Sequence, residues 1–181
     1  AESQAVKKSS VRAQLATDAA AITTCQPFTV ALRLQHDPPW HSYWMAAGTG
    51  YPTAITCTLP EGFTAGAIQW PTPHVVKDLA GKITGNGYEN EVFLLVEITP
   101  SKTLDADTNI KLEAVAEWLM CETVCMPGDA KLAISLPVGA AQADAKWTGP
   151  LAAARAQLPV ASTGWDITAS HDVAKLTLRL T

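Results

Sequence analysis

Positive charge is scarce in this chain and never concentrated. Thirteen Lys and Arg stand against 17 Asp and Glu, a formal net charge of −4, and no basic run exceeds Lys7-Lys8. That excludes the Lys/Arg stripe through which a domain binds nucleic acid or an anionic membrane surface. Long apolar runs are missing too. The longest, Val92 to Val96, has the length of a strand, against the roughly 20 residues that span a bilayer. No signal-peptide core is present, so an exported protein would be represented here as its mature form or as an excised domain. There is no G-x-S-x-G, no phosphate-cradling glycine loop and no H-E-x-x-H, which removes the serine-hydrolase, P-loop and zincin readings. The histidines His36, His41, His74 and His171 are isolated, and His41, between Trp40 and Ser42, reads as a core or hydrogen-bonded strand residue. Asp105 and Asp107 fall in the polar loop Ser101 to Asn109 and read as solvated turn residues.

What is present is 181 residues with 48% hydrophobic content, enough for one domain of about 100–150 residues plus something smaller. The apolar residues are cut into short alternating runs, the period of half-buried strands. Val11 to Leu15, Phe28 to Leu34, Ala54 to Leu59, Lys111 to Met120 and Ala130 to Leu136 alternate, and Glu91 to Ile98 is a longer apolar strand. Turn residues fall at Asp37-Pro38-Pro39, Pro60-Glu61-Gly62, Pro71-Thr72-Pro73 and Gly85-Asn86-Gly87. This spacing predicts an all-β sandwich over residues 1–139. An alanine-rich stretch then reads as a linker over 140–149. Residues 150–181 form a C-terminal extension: Leu151, Arg155 and Leu158 fit a short helix ended by Pro159. A hairpin turned at Ser170-His171-Asp172 follows, as part of a second domain or as an appendage. The six tryptophans admit a sugar-stacking surface.

Four cysteines allow three pairings. Cys121 and Cys125 lie between two strand-like runs, and four extended steps would hold them about 13 Å apart, beyond the roughly 7 Å a disulfide tolerates. They can close a bridge only across a turn, for which Pro127-Gly128-Asp129 supplies the residues; the pair is then expected at a loop tip. Redox exchange, a structural bridge, free thiols, or a copper(I) or zinc site completed by a histidine all remain open on the residues alone. Cys25 and Cys57 read as buried free thiols or as a structural disulfide. Glu122 and Asp129 flank the pair and the nearest basic residue in sequence is Lys131, so its thiolates should be less favoured than those of C-x-x-C oxidoreductases.

Several elements occur in a telling order: Trp40-His41-Ser42-Tyr43-Trp44, Tyr51-Pro52-Thr53-Ala54-Ile55, Leu59-Pro60-Glu61-Gly62-Phe63, Ile68-Gln69-Trp70-Pro71, Gly87-Tyr88-Glu89, and Trp118-Leu119-Met120-Cys121 with Cys125-Met126-Pro127. From about Val11 to Val138 the chain resembles the N-terminal periplasmic domain of the DsbD family. The resemblance is strongest to ScsB-type suppressor-of-copper-sensitivity proteins and related cytochrome c biogenesis reductases. It implies an immunoglobulin-like fold and a cysteine pair, Cys121 and Cys125, that exchanges disulfides without any cofactor or metal. It also implies a periplasmic location within a larger inner-membrane protein. The partners implied are a thioredoxin-like domain and a transmembrane electron conductor of the same parent protein, and oxidised periplasmic proteins. Cys125 matches the cysteine that forms the mixed disulfide, although three residues separate this pair where well-studied members have five. Leu79, in place of the family's loop aromatic, and Tyr88 are the residues matched to shielding of the pair; the alternatives are a loop anchor for Leu79 and a sandwich-core aromatic for Tyr88. The rival reading is an exported β-sandwich binding module with a structural disulfide.

Overall fold

The computed structural model describes all residues except 49, 78, 79, 161–163, 165 and 181. Two antiparallel sheets face each other. The first runs in the order β1 (Val6–Lys8), β2 (Val11–Thr17), β4 (Phe28–His36), β10 (Glu91–Thr99) and β7 (Thr64–Ala65). In the second, β12 (Cys125–Pro137) pairs with β11 (Asn109–Cys121), followed by β5 (His41–Tyr43), β9 (Ile83–Glu89) and β8 (His74–Lys77). Strand β6 (Ala54–Thr58) shares the β5 edge of β11, pairing Glu113 to Glu117 where β5 pairs only Met120 and Cys121. A small sheet joins β3 (Ala19–Ala21) to β13 (Gln142–Ala143). The architecture is the all-β immunoglobulin-like sandwich with a helix and hairpin appended.

Strand alternation builds the core. Val11, Ala13 and Leu15 of β2, Leu32 and Leu34 of β4, and Leu94 and Val96 of β10 point inward. They meet Leu112, Ala114, Ala116, Trp118 and Met120 of β11 and Leu132, Ile134 and Leu136 of β12. Each fully buried aliphatic side chain in such an interface contributes roughly 1.5–3 kcal/mol. Lys111, Glu113, Glu117 and Lys131 occupy alternate positions on the same strands, so a register slip of one residue would bury charge.

The outer face of the first sheet is covered. Helix α1 (Thr148–Arg155) lays Leu151 and Ala154, with Trp147 at its start, on Ala16, Ala31 and Leu95. The small alanines let the helix approach. The stretch 140–149, expected as a linker, holds β13, which pairs with β3, and Asp144, which accepts from the Ala1 ammonium and from the backbone N–H of Lys146. The terminal hairpin, β14 (Ile167–His171) with β15 (Leu176–Leu180), turns at Asp172–Lys175, two residues later than expected.

The turn expected at Gly85-Asn86-Gly87 is instead the middle of β9. Its glycines serve close approach: a Cβ at Gly85 would stand 2.1 Å from the Ala47 carbonyl oxygen, and one at Gly87 2.1 Å from that of Ser42. Beside them His36 and Ser42, both buried, tie the end of β4 to β5. The Asn90 carbonyl can only accept, so His36 Nδ1 carries the proton at 3.3 Å, and Nε2 accepts from Ser42 Oγ at 2.9 Å. Burial pushes the imidazole down to about 4, with the Asn90 contact opposing and nearby His41 assisting.

Because the unfolded chain holds this proton below about pH 6.5 and the folded one only below about 4, stability is fully present above 6.5 and is lost as pH falls toward 4. Urea unfolding between pH 7 and 4 should show a loss of about 3 kcal/mol from this group that is absent in His36→Gln.

Candidate functional site

Strands β11 and β12 form one hairpin of thirteen consecutive pairs, from Asn109↔Pro137 to Cys121↔Cys125. The connection is the three residues Glu122-Thr123-Val124, closed by a bond from the Glu122 N–H to the Val124 carbonyl at 3.1 Å. The disulfide joins the last pair, with Cα atoms 4.1 Å apart, close to the roughly 4.5 Å of a non-hydrogen-bonded antiparallel pair. The hairpin backbone alone therefore brings the cysteines within bridging distance.

The turn expected at Pro127-Gly128-Asp129 lies inside β12. Pro127 is tolerated because β12 ends the order of its sheet, where a missing N–H costs least. Gly128 is needed for space: a Cβ there would stand 2.5 Å from the Trp118 ring, its cross-strand partner.

Successive strand residues face opposite ways, and this sorts the site. Met120 points into the core, whereas Cys121 points outward into a small apolar cluster with Leu119, Tyr43, Ala47 and Val76. Cys121 is 2% exposed, while Cys125 is exposed. An external thiol meets one sulfur and not the other. The register continues across the sheet as Cys125, Cys121, His41 and Glu89 on β12, β11, β5 and β9. Directly opposed residues share a face, so this row lies on the outer side. His41 is buried, its ring packs edge-on to Tyr43 at 5.2 Å, and Nε2 lies 3.4 Å from the Tyr43 hydroxyl. Burial pushes the His41 imidazole down and Glu89 partly restores it.

Of the two places open to Tyr88, beside the cysteines or in the sandwich core, it takes the core and does not shield the pair. It belongs to the inner row with Ser42 and is buried in the sandwich core, donating its hydroxyl to the Pro71 carbonyl at 2.7 Å. Burial pushes its phenol up. Tyr43, one position along from Ser42, is the tyrosine beside Cys121. Leu79 lies outside the described residues. The optional Cys25–Cys57 bridge is not formed. Both are free thiols, Cys25 exposed in a left-handed turn (φ 57°) and Cys57 half-buried opposite Ala114, where burial pushes its thiol up. Among the described residues no three His, Cys, Asp or Glu side chains are placed to hold a metal ion. Trp118 is fully buried, and Trp40, Trp44 and Trp70 pack against the core, which leaves none of these four as an open sugar-stacking face. The reading of the sequence missed His41 and Tyr43 as neighbours of the pair, although the alternation His41-Ser42-Tyr43 places both on one face.

Substituting Gly128→Ala should destabilise the fold by roughly 1–3 kcal/mol through the clash with Trp118. Urea denaturation followed by Trp fluorescence should show an earlier midpoint at unchanged m-value.

Residues 11–137 match the family model for the thiol:disulfide interchange protein DsbD, N-terminal. Among solved structures, the N-terminal periplasmic domain of ScsB from Proteus mirabilis superposes with a TM-score of 0.72 at 24% identity, covering 99% of this chain and 68% of that one. The yeast GGA1 GAE domain aligns at a TM-score of 0.39 and 11% identity over 75% of this chain and 98% of its own. The search of curated proteins found no match.

Proposed function

Since the chain belongs to the family of DsbD N-terminal thiol:disulfide interchange domains, we propose that it is a periplasmic relay that passes electrons to exported disulfides through Cys121 and Cys125. The observation that carries this reading is the unequal exposure of two bridged sulfurs at the end of a rigid hairpin. In reduced form, Cys125 attacks an oxidised substrate as a thiolate and forms the mixed disulfide. Cys121, held opposite it by strand pairing, then attacks Cys125 Sγ and releases the reduced substrate. Recharging runs the same steps backward from a dithiol on a thioredoxin-like domain, itself supplied by a transmembrane conductor of a parent protein. A groove lined by Tyr51, Pro52, Glu117, Pro127 and Asp129 opens two residues from Cys125 and offers a partner chain a place to lie.

The competing reading is a structural bridge in a binding module. Magnitudes favour exchange: closing so short a loop stabilises a protein by only about 2 kcal/mol in the chain-entropy account. The hairpin keeps twelve further pairs without it. Shielding by Leu79 belongs to the same proposal. Val76, three residues before it, packs in the cluster that holds Cys121.

Equilibration in graded dithiol buffers, with each cysteine read by alkylation and peptide mass spectrometry, should show Cys121 and Cys125 converting together while the protein stays folded. A bridge that yields only below about −300 mV, or only on unfolding, would sink the relay. Cys121→Ala should trap a mixed disulfide with an oxidised partner, and Cys125→Ala should trap none and keep the fold. Leu79→Ser should speed reduction of the folded protein by a small thiol several-fold; an unchanged rate removes Leu79 from the site.

A further inference from the structure

Resolving a mixed disulfide requires Cys121 to lose a proton in a place with little water. Its 2% exposure and its neighbours Leu119, Val76 and Ala47 disfavour a free thiolate. Glu122, next in the chain, is acidic, and the basic side chain nearest along β12, Lys131, pairs with Val115, six positions back along β11. One side chain able to take the proton stands in register with Cys121. His41 is its cross-strand partner on β5, on the same outer face, and Glu89 is the partner of His41 on β9.

Resting on the exchange reading above, we propose that His41, backed by the Glu89 carboxylate, is the proton acceptor for Cys121 in the resolving step. The row Cys125, Cys121, His41, Glu89 then contains in sequence the attacking thiol, the resolving thiol, its base and the carboxylate that stabilises the protonated base. During resolution the Cys121 proton passes to His41. The Cys121 sulfur forms a bond to Cys125 Sγ, and the bond from Cys125 to the substrate sulfur breaks, its electron pair leaving with the substrate thiolate. That thiolate takes up a proton from His41 or from solvent. Two electrons move from the module to the substrate, and the proton count is unchanged. In the recharging direction Cys121 is the leaving group and His41 returns the proton.

His41 is suited to accept at neutral pH because burial keeps its imidazole neutral, and Glu89 limits that lowering. The other titratable groups around it are Tyr43, whose hydroxyl lies 3.4 Å from Nε2; His36, from the β4 side, whose imidazole is neutral above about 4; Glu122 on the loop; and His74 on β8, exposed and one row further out opposite Gly87. Among these, Glu89 is the carboxylate in register with His41. A carboxylate behind an imidazole that faces a thiol is the arrangement that activates nucleophilic cysteines elsewhere.

The test uses the full chain carrying Cys25→Ser and Cys57→Ala, reduced and then mixed with an aromatic disulfide whose thiolate is coloured. Attack by Cys125 releases the first equivalent and resolution by Cys121 the second, so the two steps appear as separate phases. His41→Gln should slow the second phase about tenfold at pH 7 and leave the first within about twofold. The difference should vanish at alkaline pH, where the thiol ionises unaided. Glu89→Gln, at an exposed position, should slow the second phase less and in the same direction. In the protein with its histidines intact, the second-phase rate should show a step that follows the His41 titration read by NMR, because a protonated imidazole cannot accept the thiol proton; this readout does not depend on a variant folding. A second phase unchanged by His41→Gln, a slowing equal at every pH, or a second-phase rate with no step at the His41 titration overturns the proposal while leaving exchange intact. Absence of any second phase in the parent protein overturns both.

Discussion

The pairing register between β11 and β12 is the constraint on which the rest depends. One residue carries it most visibly: Trp118, buried in the core, lies across Gly128 so closely that no side chain could stand there. That contact, together with the burial of Leu112, Ala114 and Ala116 along the same face, decides which residues of the hairpin look inward. Everything facing outward follows, since the strand period is two. Cys121 is on the chemical face because Trp118 and Met120 are on the core face.

The same register explains why the pair is asymmetric. Strand β11 is flanked on both edges, by β12 and by β5 with β6, whereas β12 lies at the end of its sheet's order. A sulfur on the inner strand is walled by Tyr43 and Val76; its partner on the outer strand meets solvent. Sequence-adjacent acidic groups and the apolar cluster both disfavour thiolates here, so on the proposed reading exchange would depend on what docks and on how the proton on Cys121 is handled.

Much of this was legible in the chain. The alternation of Leu112 to Met120 and of Leu132 to Leu136 located both strands of the hairpin and their inward faces. The Trp-Leu-x-Cys and Cys-x-Pro elements located the pair. What misled were glycines and prolines, because the same residues serve turns and close backbone approach. Gly85 and Gly87 admit the Ala47 and Ser42 carbonyls, Gly128 admits an indole, and Pro127 is allowed by an edge; in each case the reason is a neighbour distant in sequence. Whether Tyr88 met the pair or the core stayed open for a related reason: which side of β9 and β5 faces the cysteines is a property of pairing. His41 was read as a strand histidine, and it is one; its partner Cys121 lies 80 positions away and no local pattern announces it.

The 4.1 Å spacing of the bridged Cα atoms is one that two unbridged strands adopt on their own. Making or breaking the sulfur–sulfur bond therefore asks almost no movement of the backbone, and the module stores no mechanical memory of its charge state. On the proposed relay reading, such a carrier would have no intrinsic direction. It would fill or empty according to the potentials of whatever meets Cys125, much as a capacitor follows the circuit around it, and in a cell the one-way flow of electrons would have to be imposed by the order in which partners are allowed to dock.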